Sequence, residues 1–221
     1  MEQSRADRII WILEELNLPY QIQAFKRKSR LAPPEAKQIH PLGKFPMISL
    51  NSQTIAESGL IIELLIEQYG SALIPETAEE KMKVRYFNYY AEGSFMTPMV
   101  VGVVLNSIRS APVPFFLKPV VKMIANKVEE GYLMPQYTAH LDFLEGELEG
   151  RRWIAGDTFT GADVMMGWPL MAAKARVPGY TREAYPNLFA YLDRLGEREA
   201  FKRTRVRVEE LEAQIGGKSK L

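Results

Sequence analysis

Cysteine is absent from the chain. That excludes disulfides, thiolate metal sites and any protein-borne thiol chemistry. Histidine is almost absent, with only His40 and His140, too few for the usual zinc or iron ligand sets. Charge of one sign is also lacking. The 28 Lys and Arg stand against 27 Asp and Glu, and a net charge of +1 gives no pull toward nucleic acid. A bilayer span needs about 18 or more apolar residues in a row. The longest candidate, Met96–Leu105, falls short, so no membrane partner is expected. Met1-Glu2-Gln3-Ser4-Arg5 lacks the apolar region of a secretory signal. What remains is an ordinary globular composition, 47% hydrophobic and 25% charged, in 221 residues, enough for one large or two small domains.

Hydrophobic spacing gives the elements. Ile9, Ile12, Leu13 and Leu16 recur at i, i+3, i+4 and i+7 and predict a helix with one buried face, ended by Asn17-Leu18-Pro19. Tyr20-Gln21-Ile22-Gln23-Ala24 alternates and predicts a strand. Lys26 to Pro33 reads as a basic loop, and Pro34 suits the first turn of a short helix. Met47–Leu50 and Thr54–Ala56 flank Asn51-Ser52-Gln53 and predict a hairpin. A helix follows from Ser58 to Tyr69, with Gly70 as its stop. Residues 71–77 read as a linker. Beyond it strand signals vanish: Ala78 to about Ser110 is helical with Pro98 as a kink, and Phe116 to Leu148 gives one or two further helices. Thr160 and Asp163 have capping-box spacing, a better reading of Asp163 than catalysis. The nearly all-apolar Val164–Ala175 predicts a central buried helix. Tyr185–Arg198 and a last helix close the chain, the run Lys202-Arg203, Arg205 and Arg207 reading as a solvated face.

The most informative stretch is His40-Pro41-Leu42-Gly43-Lys44-Phe45-Pro46-Met47-Ile48 with Glu57-Ser58-Gly59 after it. Pro46 opens a strand, where it fits if its peptide bond is cis and forms the turn into that strand. The N–H and C=O of Phe45 are then left unpaired by the sheet. Ser58 begins an apolar helix, so its N–H and hydroxyl lie at a positive helix end suited to a carboxylate. Lys44 supplies a cation near the other end of such a ligand.

This arrangement resembles the glutathione-binding half of glutathione S-transferases. The resemblance extends along nearly the whole chain. Ser4-Arg5-Ala6-Asp7-Arg8 with Ile9–Leu16 is similar to the family's first helix. Trp153-Ile154-Ala155-Gly156-Asp157 with Thr160-Gly161-Ala162-Asp163 is similar to its C-terminal signature, and Leu188–Leu192 through Phe201 to its late helix. The implied fold is a thioredoxin-like α/β domain at 1–70, a linker at 71–77, and an all-helical domain at 78–221 forming the second-substrate site. The family has a β-strand ahead of its first helix, and Met1-Glu2-Gln3 leave no room for it. The expectation is therefore a sheet reduced to three strands, or a chain that starts internally to a longer product. With no cysteine, the branches using a cysteine nucleophile are excluded.

The resemblance implies glutathione as co-substrate and no metal. Ser4 matches the activating hydroxyl of serine-type members, against its plain reading as a helix cap. A free thiol has a pKa of about 8.5, and lowering it by about two units takes roughly 2.7 kcal/mol of thiolate stabilisation. Glu57 and Ser58 match the binders of the γ-glutamyl end. Phe45, after the Pro46 turn, would pair its backbone with the cysteinyl part. His40 and Lys44 would meet the glycine carboxylate, with Arg5 nearby. Phe87, Tyr90, Phe95, Met96, Met99, Phe115 and Phe116 are candidates for the second-substrate pocket, although a Met and aromatic stripe is more often plain core.

The implied activity is addition of the glutathione thiolate to an electrophilic apolar substrate, in detoxification or secondary metabolism. The alternatives are a glutathione-dependent cis–trans isomerase and a non-catalytic interaction module. A homodimer is expected. Ser219-Lys220-Leu221 matches the address read by the peroxisomal import receptor; with it the expected location is the peroxisome in a eukaryote and the cytoplasm otherwise.

Overall fold

A computed structural model describes residues 4–26 and 32–217, so Ser219-Lys220-Leu221 lies outside the described residues. Helix α1 (Ala6–Glu15) comes first. Its burial is wider than the expected single stripe: Ile9, Trp11 and Ile12 enter the main core, while Ile10 packs with Val208 and Leu211 in a second cluster. The cause is α9 (Glu199–Gly217), which folds back over α1. Arg198 holds Glu15 through two bonds of 2.7 Å, and Arg203 donates to the Glu14 carboxylate at 2.7 Å. The basic run is thus not wholly a solvated face, because Arg203 clamps α9 to α1.

Strands β1 (Met47–Leu50) and β2 (Gln53–Ala56) form an antiparallel hairpin, with Met47 opposite Ala56 and Leu50 opposite Gln53. Asn51 and Ser52 both have positive φ, at 49° and 65°. Two such residues give the turn whose twist matches a tight hairpin. The sheet has these two strands only among the described residues, not the three expected. Tyr20–Ala24 pairs with no strand among the described residues. An extended segment becomes a strand only where a neighbour meets its N–H and C=O groups. Here a groove of about 1120 Å³ separates it from β1 instead, floored by Ile9, Ile10 and Leu13.

Helix α2 (Ser58–Tyr69) packs on α1 and on α7 (Gly161–Ala173). The α2–α7 approach requires glycine at 161, where a Cβ would stand 2.7 Å from Ile66 Cδ1 and 3.0 Å from Ile62 Cγ2. Helix α7 is the expected central buried helix, with Pro169 inside it. Its capping box is present. Asp163 accepts from the N–H of Thr160 at 2.8 Å, the N–H of Ile154 at 3.0 Å and the Tyr191 hydroxyl at 3.0 Å. Burial pushes the Asp163 carboxyl up to about 6 against the pull of these bonds. Helix α8 (Pro186–Glu197) precedes α9.

Two long helical runs complete the bundle. The first joins α3 (Ala78–Tyr90) to α4 (Met96–Arg109) through a π-turn at Ala91–Phe95. The second joins α5 (Lys118–Val128) to α6 (Met134–Glu147) through a π-turn at Glu129–Leu133. A helical proline clashes with the carbonyl four residues back. For Pro98 that carbonyl is Ser94 and for Pro135 it is Gly131, and each lies inside one π-turn. The widened turn relieves the clash, so the disturbance expected at Pro98 falls in the turn before it. Because α3 and α4 are continuous, Ala78–Arg109 is, among the described residues, the helix long and apolar enough by length and composition to cross a membrane. The shorter Met96–Leu105 run had concealed this.

The groove carries a direct expectation. A segment of about six residues alternating Val or Ile with polar residues, fused at the N-terminus, can bond to β1 on one side and Tyr20–Ala24 on the other. It should raise the thermal midpoint by about 5 °C or more, against no change for a Gly-Ser segment of equal length. Equal midpoints for the two fusions would show that the groove does not accept a strand.

Candidate functional site

The hairpin and α2 build one half of the site. The Phe45–Pro46 peptide bond is cis, as the sequence expected, and β1 starts at the next residue. Phe45 stacks on Phe25 at 5.0 Å, and Phe45, Pro46 and Ala6 line the groove together. β2 ends at Ala56 and α2 begins at Ser58, leaving Glu57 as the one connecting residue. Glu57 has φ of 74°, a region costly for a non-glycine residue, where strain of order 1–3 kcal/mol persists mainly at functional sites. Ser58 is buried while Glu57 is exposed.

The start of α2 is open. Its first intrahelical bond runs from the Ile61 N–H to the Glu57 carbonyl at 3.0 Å, and no side chain caps it. The N–H groups of Ser58, Gly59 and Leu60 therefore precede the ladder, with the positive helix end behind them. This is the geometry for a carboxylate. Lys44 is exposed. His40 is half-buried, and its Nδ1 accepts the Leu42 N–H at 3.3 Å, so this nitrogen serves the turn and only Nε2 is left for a ligand.

Ser4 and Arg5 sit at the start of α1. Ser4 is 4% exposed, and its Oγ accepts the Ala6 N–H at 3.2 Å. That is a local turn bond just ahead of the helix, whose N-cap is Arg5, and the hydroxyl keeps its own proton to donate. Arg5 is committed elsewhere: its Nε donates to both oxygens of Glu92, at 3.2 Å and 3.0 Å. The same carboxylate binds Arg8, which is wholly buried and lies 5.1 Å from the Trp168 ring centroid. Burial pushes the Glu92 carboxyl up, but hydrogen bonds and charge from Arg5 and Arg8 outweigh it and hold it below the usual range. Sequence reasoning missed Glu92. The available signal was Glu92-Gly93 a few residues ahead of Pro98, a proline-relieving turn that aims side chains inward.

The structure does not bring the seven expected second-substrate residues together. Phe87, Tyr90, Phe95, Met96 and Met99 are buried in the main core. Tyr90 shares a 2.5 Å hydrogen bond with His140 Nδ1, and burial pushes its hydroxyl pKa up. Phe115 and Phe116 instead stand on the surface in the connection between α4 and α5. The reason is spacing: Phe87, Tyr90 and Phe95 follow the inner face of the α3 run, packed against His140 and Phe143 of α6.

A small cavity of about 120 Å³ lies between α1, α7 and α9, lined by Asp7, Trp11, Trp168, Phe201 and Arg205 among others. Asp7 accepts from Trp168, and its Oδ1 has no bonding partner. Burial pushes the Asp7 carboxyl up to about 6.

Two outcomes follow from these charges. Glu92→Ala leaves Arg8 buried and unmatched, and should cost about 3–5 kcal/mol in urea unfolding. Adding Arg8→Met to Glu92→Leu should recover most of that loss; a double variant no better than Glu92→Ala would refute the pairing. For Asp7, the folded state keeps a proton that the unfolded chain releases between pH 4 and 6, so stability from this group falls as pH rises through that window. Asp7→Asn should therefore raise the midpoint at pH 7.5 and change it less, or lower it, at pH 4. Equal shifts at both values would rule out a buried, titrating Asp7.

Comparison with known proteins agrees with this construction. Residues 1–76 match the glutathione S-transferase N-terminal domain model and residues 129–194 the C-terminal domain model. Glutathione S-transferase 3 of Schizosaccharomyces pombe is 30% identical over 213 residues, covering 95% of this chain and 86% of that protein. Glutathione S-transferase 1 of Saccharomyces cerevisiae is 29% identical over 211 residues, covering 91% and 90%. A crystal structure of a glutathione S-transferase from Actinobacillus pleuropneumoniae superposes with a TM-score of 0.74 at 26% identity, covering 94% of this chain and 89% of that one. An uncapped α2 behind a cis-Pro46 turn, in a chain matched along both halves, makes this protein a member of the glutathione S-transferase family and a glutathione transferase that uses glutathione as co-substrate.

Proposed function

We propose that the enzyme holds glutathione along the Phe45–Pro46 turn and the start of α2, favours its thiolate through Ser4, and adds it to a small apolar electrophile. The observation that carries this reading is the Glu57–Ser58 junction. A strained Glu57 at φ 74° turns the chain so that three unbonded N–H groups and the Ser58 hydroxyl open one helix end. The γ-glutamyl carboxylate fits there by charge and by donor count. Phe45 lines the groove two residues before β1, a position whose backbone suits a strand-like pairing with the peptide portion. Lys44, with His40 Nε2 beside it in sequence, takes the glycine carboxylate.

In this reading the Ser4 hydroxyl donates a hydrogen bond to the thiolate and keeps its proton, while its oxygen still accepts the Ala6 N–H. The thiolate sulfur attacks the electrophilic carbon, and the displaced electron pair leaves on the departing group or is quenched by a proton from solvent. The same thiolate adding reversibly to a conjugated double bond would give isomerisation with no glutathione consumed, so product analysis belongs with any rate measurement. For assembly we propose a two-fold dimer through α3, whose Met82, Tyr86 and Tyr89 are exposed at helical spacing.

Isothermal titration tests the site. Glutathione should bind the full chain in the micromolar to low millimolar range, roughly −8 to −4 kcal/mol. Ser58→Ala should weaken it about ten-fold. Ser4→Ala should leave binding nearly intact while lowering kcat/KM about a hundred-fold, the loss of roughly 2.7 kcal/mol of thiolate stabilisation. A folded protein giving no heat with glutathione would overturn the assignment.

A further inference from the structure

We propose that the outer face of the α4–α5 hairpin docks on an anionic lipid bilayer, lying in its interface without spanning it. The expectation of no membrane partner rested on the lack of a spanning run, and a surface-lying hairpin needs none.

Apolar exposure here is concentrated. Phe115 is 82% exposed and Phe116 64%, at the connection between the two helices. Val104 and Ile108 on α4 and Met123 and Ile124 on α5 continue the exposed surface. Val104 and Ile108, four residues apart, share one face of α4, Met123 and Ile124 lie on the α5 packed against it, and Phe115 and Phe116 stand in the connection that joins the two helices. Exposed apolar side chains gathered on one hairpin are a mark of an interaction surface. The apolar character of the Ala78–Arg109 run is thus not spent on the core, since only 33% of its most apolar stretch is buried.

Charge selects the partner. From Gly93 to Val128 the chain holds Arg109, Lys118, Lys122 and Lys127 and no Asp or Glu. Arg109 is occupied by Glu129 and Asn126. Lys118, Lys122 and Lys127 are exposed. A second copy docked on this face by two-fold symmetry would set this same basic face against itself. A layer of anionic headgroups offers negative charge everywhere along the rim, and an apolar interior for the two phenylalanines. Pro112 and Pro114, both exposed, restrict the backbone of the connection. This inference does not depend on the glutathione site.

The test is flotation of the full chain with vesicles of phosphatidylcholine alone or with 30% (about one lipid in three) phosphatidylserine. The protein should float with the anionic vesicles and far less with neutral ones, and binding should weaken as salt rises from about 0.1 M to 0.5 M. Phe115→Ser with Phe116→Ser should abolish flotation. Lys118→Glu with Lys122→Glu should weaken it by more than about five-fold per lysine. Thermal unfolding checks that each variant is folded, and the two pairs fail to fold for different reasons if at all. Equal flotation with both vesicle types, or unchanged flotation of both variants, would overturn the proposal. So would loss of a self-associated species in the variants, by sedimentation, with no vesicle binding by the parent protein; the face would then be a contact between copies.

Discussion

A guanidinium removed from water must be matched by a carboxylate or it unfolds its surroundings. Arg8 is wholly buried, and its matching group is Glu92. The pair joins the start of α1 to the π-turn between α3 and α4, so the two halves of the chain are tied at the point where Ser4 and Arg5 enter. Glu92 can face inward because the π-turn reorients the helix there, and the π-turn exists because Pro98 excludes a regular turn. Proline, wide turn, carboxylate and arginine thus form one chain of causes, and the position of the Ser4 hydroxyl depends on all of it.

Much of the fold was legible because its signals are local. The Met47–Ala56 hairpin, the Ser58 helix start, the Thr160 and Asp163 capping box and the apolar α7 each declare themselves within a dozen residues. What escaped depends on partners far away in sequence. Tyr20–Ala24 alternates like a strand, but a strand needs an adjacent ladder, and a groove lies there instead. Arg203 read as solvated because nothing nearby reveals that α9 returns to Glu14 across 189 positions. The partners of Glu92, Arg5 and Arg8, likewise lie 87 and 84 positions away, so its setting ahead of Pro98 could hint at a turn but not at the pair.

The site divides along the same line. The cis bond before Pro46 and the helix start at Ser58 were readable because turn chemistry and helix starts are sequence-near effects, and the structure shows both; the positive φ of Glu57 was not announced by its residue type. The aromatic and methionine set was not readable, since spacing alone cannot tell a core stripe from a pocket wall. Phe87 and Phe95 follow the core, while Phe115 and Phe116 are placed outside by a proline-bounded bend.

The paired π-turns also set the phase of the surface. Each inserts one extra residue into a helical run, turning everything after it by about 100° around the helix axis. Val104 and Ile108 face solvent in the angular position that the Ala91–Phe95 turn assigns them. Deleting a single residue from that turn would force a regular turn against Pro98 and swing this stripe by more than a quarter revolution, toward neighbours shaped for other side chains. Helices built this way can drift by substitution, but they resist insertion and deletion, and the lengths of both arms of the hairpin are locked together.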